Sequence, residues 1–353
     1  MKTRRKNLLK ASQKIGCDIV VAFEPENLFY MTGFWGEAIG ILENGKTTII
    51  SPELEVGRAK SESSDCSVVT ADRGQGLISA LVKKIKNKKV CTDCQNYQMM
   101  TSLKKSVPKI KHSTTPFYDA RIIKDSQEIT VLKKASKIID EMFEQCTRKI
   151  KKGLRESELQ AILMSYAIQH EMFDTGYKST LNPLIIAGGP NGALPHAQVT
   201  NRKFVNGDLI VVDLTLRYKG YVTDSTRTFG LGSVSSEAKS VYEIVKESQK
   251  LGLKAVKPGA SCKSIDDACR NYIKNQKYGK YFIHSTGHGI GLEVHELPNI
   301  SPKSSTRLAK NMAITVEPGI YIPKKFGVRI EDSLIVQDRP ILLHKFTKDL
   351  IVI

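Results

Sequence analysis

Two acidic residues in a predicted β-hairpin are the first candidates for chemistry. Residues 209–229, LIVVDLTLRYKGYVTDSTRTF, contain two runs rich in Val, Leu, Thr and Tyr around a short turn, which is the pattern of a hairpin. With the turn centred between Tyr218 and Lys219, Asp213 and Asp224 are predicted to face each other, with Cβ atoms about 5 Å apart. Two carboxylates at so short a distance in an apolar setting must share a proton or a cation. On a solvated surface hairpin they need neither.

A second acidic pair favours the interpretation in which the carboxylates share a cation. Residues 313–336 indicate another hairpin, in which Glu317 and Glu331 are symmetric about Lys324 and are predicted to face each other. Between the hairpins, the segment HSTGHGIGLEVHELP at 284–298 offers three histidines. Four carboxylates and an imidazole suit a pair of divalent cations such as Mn²⁺, Co²⁺, Fe²⁺ or Zn²⁺. Two such ions about 3.5–4 Å apart can bridge a hydroxide and polarise a carbonyl.

The elements that must position these residues follow a repeated plan. The sequence DSQE at 125–128 is a capping box that begins an amphipathic helix, and a second helix is predicted from Ser157 to about Glu171. A strand then breaks into a loop rich in Gly and Pro, within residues 181–200, before the first hairpin. Two further helices, at about 236–255 and 263–276, precede the second hairpin. Each half therefore consists of a helix pair and a hairpin.

Five segments of the chain resemble the signature segments of the metallopeptidases with the pita-bread fold. They are NGALPHA (191–197), DLTLRYKGYVTDSTRTF (213–229), HSTGHGIGLEVHE (284–296), EPGIYIP (317–323) and GVRIED (327–332). Within that family the chain most resembles the Xaa-Pro dipeptidases (prolidases) and the related Xaa-Pro aminopeptidases. The resemblance covers nearly the whole chain. It implies an α+β fold, with a pita-bread catalytic domain over residues 125–353 preceded by a small α/β domain of the creatinase/prolidase type over residues 1–120.

The resemblance also implies a set of metal ligands. Five residues match the ligand positions of the family one for one: Asp213, Asp224, His288, Glu317 and Glu331. Two divalent ions per subunit are expected, with Mn²⁺ or Co²⁺ favoured over Fe²⁺ or Zn²⁺. Glu317 has a second expected role as a catalytic residue, because a carboxylate beside a metal-bound water can take its proton and pass it to the leaving nitrogen.

Three histidines and one arginine complete the expected site. His295 resembles the family histidine that donates to the oxyanion, His196 the one on the leaving side of the substrate, and His284 the one that borders the proline pocket. A loop histidine taken alone is usually structural, so these roles depend on the resemblance. Arg329 precedes Glu331 by two residues on the same strand face, where its guanidinium would brace a ligating carboxylate or bind substrate.

Hydrolysis of Xaa-Pro bonds, which lack an N–H and constrain the backbone, is therefore the predicted function. The leading interpretation is an Xaa-Pro dipeptidase. An Xaa-Pro aminopeptidase acting on longer peptides is the alternative, because Asn299 stands where some dipeptidases of the family have an arginine for the substrate carboxylate. A non-catalytic binding protein on the same fold is the alternative of another class, and the intact set of ligand types argues against it.

Composition limits the class of protein further. The 353 residues, of which 41% are hydrophobic and 25% charged, are typical of a two-domain globular protein. The net charge is +18, yet the lysine runs lack the interleaved aromatic residues of a nucleic-acid groove, so no specific nucleic-acid partner is expected. Seven irregularly spaced cysteines and the lack of a long apolar segment predict a cytoplasmic protein without a membrane partner. A peptide substrate and a homodimer are implied by the resemblance.

Overall fold

Residues 1–353 are all described by the computed structural model, in which the chain divides after Arg121. In the first unit, Met1–Arg121, the strands are β1 (Ile19–Ala22), β2 (Ile39–Glu43), β3 (Lys46–Ser51), β4 (Cys66–Thr70), β5 (Val90–Thr92) and β6 (Ile110–His112). They form one sheet in the order β4-β3-β2-β1-β5-β6. The helices are α1 (Lys2–Lys14), α2 (Pro25–Thr32), α3 (Glu53–Glu62), α4 (Gln75–Ile85), α5 (Tyr97–Ser106) and α6 (Thr115–Arg121).

The second unit, Ile122–Ile353, contains four long helices. They are α7 (Ser126–Lys149), α8 (Glu156–Gln169), α9 (Ser236–Ala255) and α10 (Cys262–Asn275). Short 3₁₀ turns occur at Gly189–Ala193 and Gly279–Tyr281. None of the helices in the chain combines the length and apolarity needed to cross a bilayer.

Three sheets complete the second unit. The first contains β7 (Met172–Phe173), β8 (Ile185–Gly188), β9 (Leu209–Tyr218) and β10 (Tyr221–Gly230). The second contains β11 (Gly287–Gly289), β12 (Glu296–Ile300), β13 (Ala313–Val316), β16 (Asp332–Ile335) and β17 (Ile341–Leu342). The third is the two-stranded ladder of β14 (Gly319–Ile322) and β15 (Phe326–Arg329).

The capping box predicted before α7 is confirmed. The Asp125 carboxylate accepts a hydrogen bond from the backbone N–H of Glu128 (2.8 Å), and the Glu128 carboxylate accepts one from the N–H of Asp125 (2.7 Å). These bonds satisfy donors that a helix start leaves unpaired. The apolar face predicted for this helix is buried, from Leu132 to Phe143. Helix α7 therefore begins and packs as its sequence pattern requires.

Two hydrophobic cores support the two acidic hairpins. One packs α7 and α8 against the inner face of β9, with Phe143, Leu163 and Val212 fully buried. The other packs α9 and α10 against the strands from β13 to β16, with Tyr242, Ile265 and Ile314 at its centre. Burial of side chains of this size stabilises each by roughly 1.5–3 kcal/mol relative to exposure. Each hairpin thus rests on a rigid helix pair, as the repeated plan in the sequence predicted.

Candidate metal centre and active-site cavity

The turn of the first hairpin differs from the prediction by one residue. Tyr218 pairs with Tyr221, so the loop consists of Lys219 and Gly220 alone. Both loop residues have positive φ, 47° and 87°, which is the backbone of a type I′ turn. The turn centre therefore falls between Lys219 and Gly220, because this two-residue turn matches the twist of the flanking strands.

This shift changes the partners of the two aspartates. Asp213 pairs with Thr226 and Asp224 pairs with Thr215, so the predicted direct opposition of Asp213 and Asp224 is wrong. The aspartates are instead diagonal neighbours on one face of the ladder, a separation that side chains still span. The Thr215 hydroxyl lies between them, 2.7 Å from the Asp224 carboxylate and 3.3 Å from that of Asp213.

The second hairpin has the predicted register but not a continuous ladder. Pairs on either side of the glutamates, such as Val316 with Asp332 and Gly319 with Arg329, are symmetric about the same turn. At Glu317 and Glu331 themselves the ladder opens, and the two N–H groups donate to carbonyls of other segments. That of Glu317 donates to Thr286 (2.8 Å) and that of Glu331 to Thr226 (3.1 Å). The glutamates thereby join the second hairpin to the His288 segment and to the first hairpin.

His288 enters the site on a strand flanked by two glycines. A Cβ atom at Gly287 would lie 2.1 Å from the carbonyl oxygen of Thr315, and one at Gly289 would lie 2.2 Å from that of Leu297. No side chain fits at either distance, so the close approach of β11 to its neighbours requires glycine. The His288 Nδ1 lies 3.1 Å from the Gly289 carbonyl oxygen, which leaves Nε2 to face the carboxylates.

Asp224, His288 and Glu331 form the closest cluster of possible metal ligands. Their ligand atoms all lie within 4.8 Å of one another, and all three residues are buried. Glu317 is adjacent, with Oε1 3.2 Å from His288 Nε2. Asp213 faces the same cavity and is 12% exposed. The structure therefore brings together all five residues predicted as ligands, three of them at the tightest spacing.

The buried carboxylates of this cluster favour the binding of a positive charge. Burial, and then the charge of Asp213, raises the pKa of Asp224 well above its ordinary value, and burial with Asp224 and Glu317 does the same to the pKa of Glu331. The Oε1 atom of Glu331 is buried without a hydrogen-bond partner. Buried carboxylates with an unsatisfied oxygen are the setting in which a divalent cation binds. The residues present therefore fit a metal.

His288 and Glu317 form a charged pair within the cluster. Burial lowers the pKa of His288, but the hydrogen bond and charge of Glu317 outweigh it and raise this pKa to about 9. Burial raises the pKa of Glu317, but His288 outweighs it and lowers this pKa to about 2. A proton on His288 offsets only part of the negative charge. A bound divalent cation would displace that proton, since metal-ligating histidine is neutral.

Arg329 directs its guanidinium toward groups of the protein. Its Nη2 donates to Asp213 Oδ2 (2.6 Å), its Nε to the Thr226 hydroxyl (3.0 Å) and its Nη1 to the Tyr321 hydroxyl (2.7 Å). The side chain is buried, so each bond fixes the position of its acceptor. Of the two roles expected for Arg329, this geometry corresponds to bracing a ligating carboxylate. Arg329 also lines the cavity.

A cavity of about 310 Å³ opens beside the cluster. This volume is at the lower end of the range for small-molecule sites. The residues that line it and were predicted from the sequence are His196, Asp213, Asp224, His284, His288, His295, Asn299, Glu317, Arg329 and Glu331. Every candidate site residue of the sequence analysis therefore lies at this one cavity.

The three cavity histidines outside the predicted ligand set have different surroundings. The His295 ring packs edge-on against His288, with ring centres 4.3 Å apart, and against Tyr177 at 5.2 Å. Burial and then the charge of His288 lower the pKa of His295 to about 4, so this imidazole is neutral near pH 7. His284 Nε2 lies 3.0 Å from the Tyr321 hydroxyl, and burial lowers its pKa. His196 is exposed in the cavity wall.

A buried ion pair beside His295 was not predicted. Lys124 Nζ lies 2.9 Å from Glu296 Oε2, and the two side chains are only 1% and 2% exposed. The other oxygen, Oε1, accepts hydrogen bonds from the backbone N–H groups of Leu292 (2.7 Å) and Glu293 (3.2 Å). Glu296 therefore fixes the loop that ends at His295. No local signal in the sequence marks Lys124 as the partner, because 172 residues separate it from Glu296.

Comparison with protein families decides the classification. The model of metallopeptidase family M24 matches residues 130–338, and that of the creatinase/prolidase N-terminal domain matches residues 4–123. The chain belongs to metallopeptidase family M24. This finding confirms the family and the fold expected from the signature segments, and it makes the protein a peptidase. It also agrees with the fit of the carboxylate cluster to metal, because this family depends on a pair of metal ions.

Individual proteins resemble the chain over nearly its full length. An Xaa-Pro dipeptidase of Pyrococcus furiosus is 37% identical, and the alignment covers 96% of this chain and 96% of that protein. The crystal structure of the prolidase from Pyrococcus horikoshii superposes with a TM-score of 0.90 at 33% identity, over 99% of each chain. An X-Pro aminopeptidase from Thermotoga maritima has a TM-score of 0.86 at 29% identity, over 98% of this chain and all of that one. Dipeptidases and aminopeptidases thus share this architecture.

Proposed function

We propose that this M24 peptidase hydrolyses Xaa-Pro bonds and acts as an Xaa-Pro dipeptidase. The observation that carries the proposal is the convergence of both acidic hairpins and His288 at a single cavity of about 310 Å³. A dipeptide fits within a site of this volume. The similarity to the Pyrococcus furiosus dipeptidase over 96% of the chain supports the same substrate class.

Five side chains would hold the two metal ions: Asp213, Asp224, His288, Glu317 and Glu331. Because the donor set is rich in oxygen with one imidazole, Mn²⁺ or Co²⁺ suits it best, and Fe²⁺ or Zn²⁺ would also bind. Bound metals would supply a water-derived nucleophile at neutral pH and polarise the scissile carbonyl. Thr215 and Thr226 orient the carboxylates through hydrogen bonds to Asp224 and Glu331 at 2.7 Å.

Glu317 is the proposed proton carrier. Its carboxylate borders the cavity, with Oε1 3.2 Å from His288 Nε2, so it lies beside the proposed metal ions, where it can accept a proton from a bound water. The proton would then pass to the nitrogen of the leaving proline. This transfer is required because the proline nitrogen leaves as a neutral secondary amine and not as an anion.

The histidines would bind and polarise the substrate. His295 is neutral near pH 7 and lies against His288, where a ring N–H can donate to the negative charge that develops on the carbonyl oxygen. His196, also in the cavity wall, would contact the leaving side of the substrate, and His284 would border the proline ring. Arg329 would act on substrate through the placement of Asp213.

An Xaa-Pro aminopeptidase is the second candidate, and Asn299 favours it. Asn299 lines the cavity but carries no charge for the carboxylate of a dipeptide, and the Arg329 nitrogens donate to protein groups. A longer peptide has no carboxylate at that position. The Thermotoga maritima X-Pro aminopeptidase has the same fold.

Product analysis on the Mn²⁺- or Co²⁺-loaded protein separates the candidates. One Xaa-Pro dipeptide and one Xaa-Pro-Yaa-Zaa tetrapeptide are offered in parallel. Cleavage of the dipeptide alone is the expected result, whereas release of Xaa from the tetrapeptide would identify an aminopeptidase. No cleavage of either peptide by the metal-loaded protein would overturn both assignments and favour a non-catalytic binding protein.

The organisation and setting of the protein are also part of the proposal. Residues 1–120 would form a supporting N-terminal domain and residues 125–353 the catalytic domain, in agreement with the extents of the two family matches and the division after Arg121. A cytoplasmic homodimer is the expected form. Light scattering coupled to size-exclusion chromatography tests the dimer, and a monomer mass would refute it.

A further inference from the structure

A buried carboxylate outside the metal cluster organises one wall of the cavity. Glu156 is the first residue of α8 and is fully buried. Its oxygen atoms accept hydrogen bonds from the N–H of Gly188 (2.9 Å), from the Asn191 side chain (3.1 and 3.2 Å), and from both the N–H (3.0 Å) and the hydroxyl (2.6 Å) of Thr200. Every one of these donors belongs to the segment 188–200.

The positions of these donors along the segment show that Glu156 joins the two ends of a loop. Gly188 and Thr200 are the two ends of the loop, and Asn191 lies inside it. A single carboxylate therefore closes the loop at its base, and closing a loop lowers its conformational entropy. His196 lies within the closed stretch, in the cavity wall. The His196 ring takes no part in this hydrogen bonding, so its place in the wall follows from the backbone that Glu156 holds.

The same loop also contacts the brace of the metal cluster. The Pro195 carbonyl oxygen accepts a hydrogen bond from Arg329 Nη1 (3.2 Å), and Arg329 holds Asp213. A displaced loop would therefore move His196 first and loosen one of several bonds to Arg329. The proposed metal ligands themselves lie on other elements, and this bond to Arg329 is the described link between them and Pro195 of the loop.

We propose that Glu156 is a positioning residue for catalysis, acting through His196. The proposal rests on the function proposed above, in which His196 contacts the substrate. A carboxylate is required because all of the groups that face Glu156 are donors. In Glu156→Gln, the amide nitrogen would point at donors and leave at least one buried N–H or O–H without an acceptor.

Glu158 provides a matched control on the same helix. It lies in the same first turn of α8 but is exposed, and its carboxylate accepts a bond only from the N–H of Arg155 (2.7 Å). Both glutamates interact favourably with the helix N-terminus, so that contribution is common to the two substitutions. Glu158→Gln keeps an acceptor for the capping box. A difference between the two variants therefore reports the loop contact.

The first measurement is hydrogen exchange of the segment 188–200, followed by mass spectrometry. Glu156→Gln is expected to accelerate exchange in this segment and to leave the hairpin at 209–230 unchanged, whereas Glu158→Gln matches wild type. Thr200→Val, a variant of nearly the same shape, removes the hydroxyl that donates to Glu156 and that also accepts from the Asn191 side chain and the Arg202 N–H. It is expected to accelerate exchange to an intermediate extent, and it carries the test if Glu156→Gln folds poorly. Wild-type exchange in the segment for both Glu156→Gln and Thr200→Val would overturn the proposal. This measurement requires no turnover.

The second measurement is a double-mutant cycle on hydrolysis of an Xaa-Pro dipeptide. Glu156→Gln is expected to lower kcat/KM by about 10²-fold, the effect of a misplacement of about 1 Å. In a His196→Ala background the same substitution should change kcat/KM by less than about threefold, because the group that it positions is gone. Equal losses in both backgrounds would show a merely structural role and overturn the proposal. Absence of turnover in wild type would instead overturn the proposed function, and the exchange result would still decide the role of Glu156.

Discussion

Removal of the buried lysine beside the active site provides a demanding test of the structure. Lys124→Met would remove the cation that lies 2.9 Å from the Glu296 carboxylate, in a position where both side chains are almost fully buried. Breaking a buried pair by removing one partner destabilises by roughly 3–5 kcal/mol, because the charge that remains in a medium of low polarity loses its counterion. For a unit of this size, each kcal/mol lowers the melting temperature by about 2–4 °C. The transition of the unit Ile122–Ile353 should therefore fall by about 6–20 °C.

Two further variants show whether the charge is the cause. In the double variant Lys124→Met with Glu296→Gln, the amide oxygen still accepts the N–H groups of the loop, so most of the lost stability should return. Lys263→Met serves as the control, because it removes the cation of an exposed pair with Asp267. This substitution is expected to lower the free energy of unfolding by less than about 0.5 kcal/mol.

Differential scanning calorimetry on the four proteins checks these expectations. A Lys124→Met protein that melts within about 2 °C of Lys263→Met would contradict the argument from burial. A double variant as unstable as the single variant would contradict the argument from charge and show that packing of the lysine stem is what matters.

Chemistry at the cavity leads to three more expectations. Glu317→Gln should abolish Xaa-Pro hydrolysis while metal stays largely bound, since an amide oxygen can ligate a metal but the amide takes up no proton. Steady-state assays with metal analysis check this. Wild-type turnover would remove Glu317 from the mechanism. Asn299→Arg should lower KM for an Xaa-Pro dipeptide by about tenfold through a charged hydrogen bond, with little change for a tetrapeptide; an equal change for both peptides would count against a carboxylate contact there. Chelation of the metal should lower the melting temperature more at pH 8 than at pH 5. Because the pKa values of Asp224 and Glu331 are raised by burial and neighbouring carboxylates, the contribution of these two groups to the stability of the metal-free fold is fully present below the ordinary carboxyl pKa of about 4 and is lost as the pH rises through the raised values. A calorimetric gap between loaded and chelated protein that does not vary with pH would refute this.

The segments that carry the site could be identified from residue types alone, but their exact pairing could not. Acidic residues inside β-rich hairpins are unusual, so Asp213 and Asp224 stand out. Their partners depend on the turn. A shift of one residue in the turn centre, from before to after Lys219, moves each cross-strand partner by two positions. Turn centres are set by backbone φ values that the sequence specifies only weakly at a lysine.

Contacts between distant segments were beyond the sequence patterns. Arg329 was expected to brace a carboxylate, but its actual acceptor, Asp213, is 116 residues away. Glu156 begins a helix and carries no signal of the loop that it closes, because an acid in the first turn of a helix is common. Side-chain partners of this kind are fixed by packing of the whole unit, and local propensity does not encode them.

The two glycines around His288 restrict how this site can vary. Since a Cβ at Gly287 or Gly289 would collide with backbone oxygens that do not move aside, neither position tolerates another amino acid without displacing a strand. The residue between them is itself a proposed ligand. No residue of β11 is therefore expected to tolerate substitution, either in evolution or in protein engineering. Substitutions that retune the preference for one metal over another are confined to the two acidic hairpins, where threonines and an arginine surround the carboxylates.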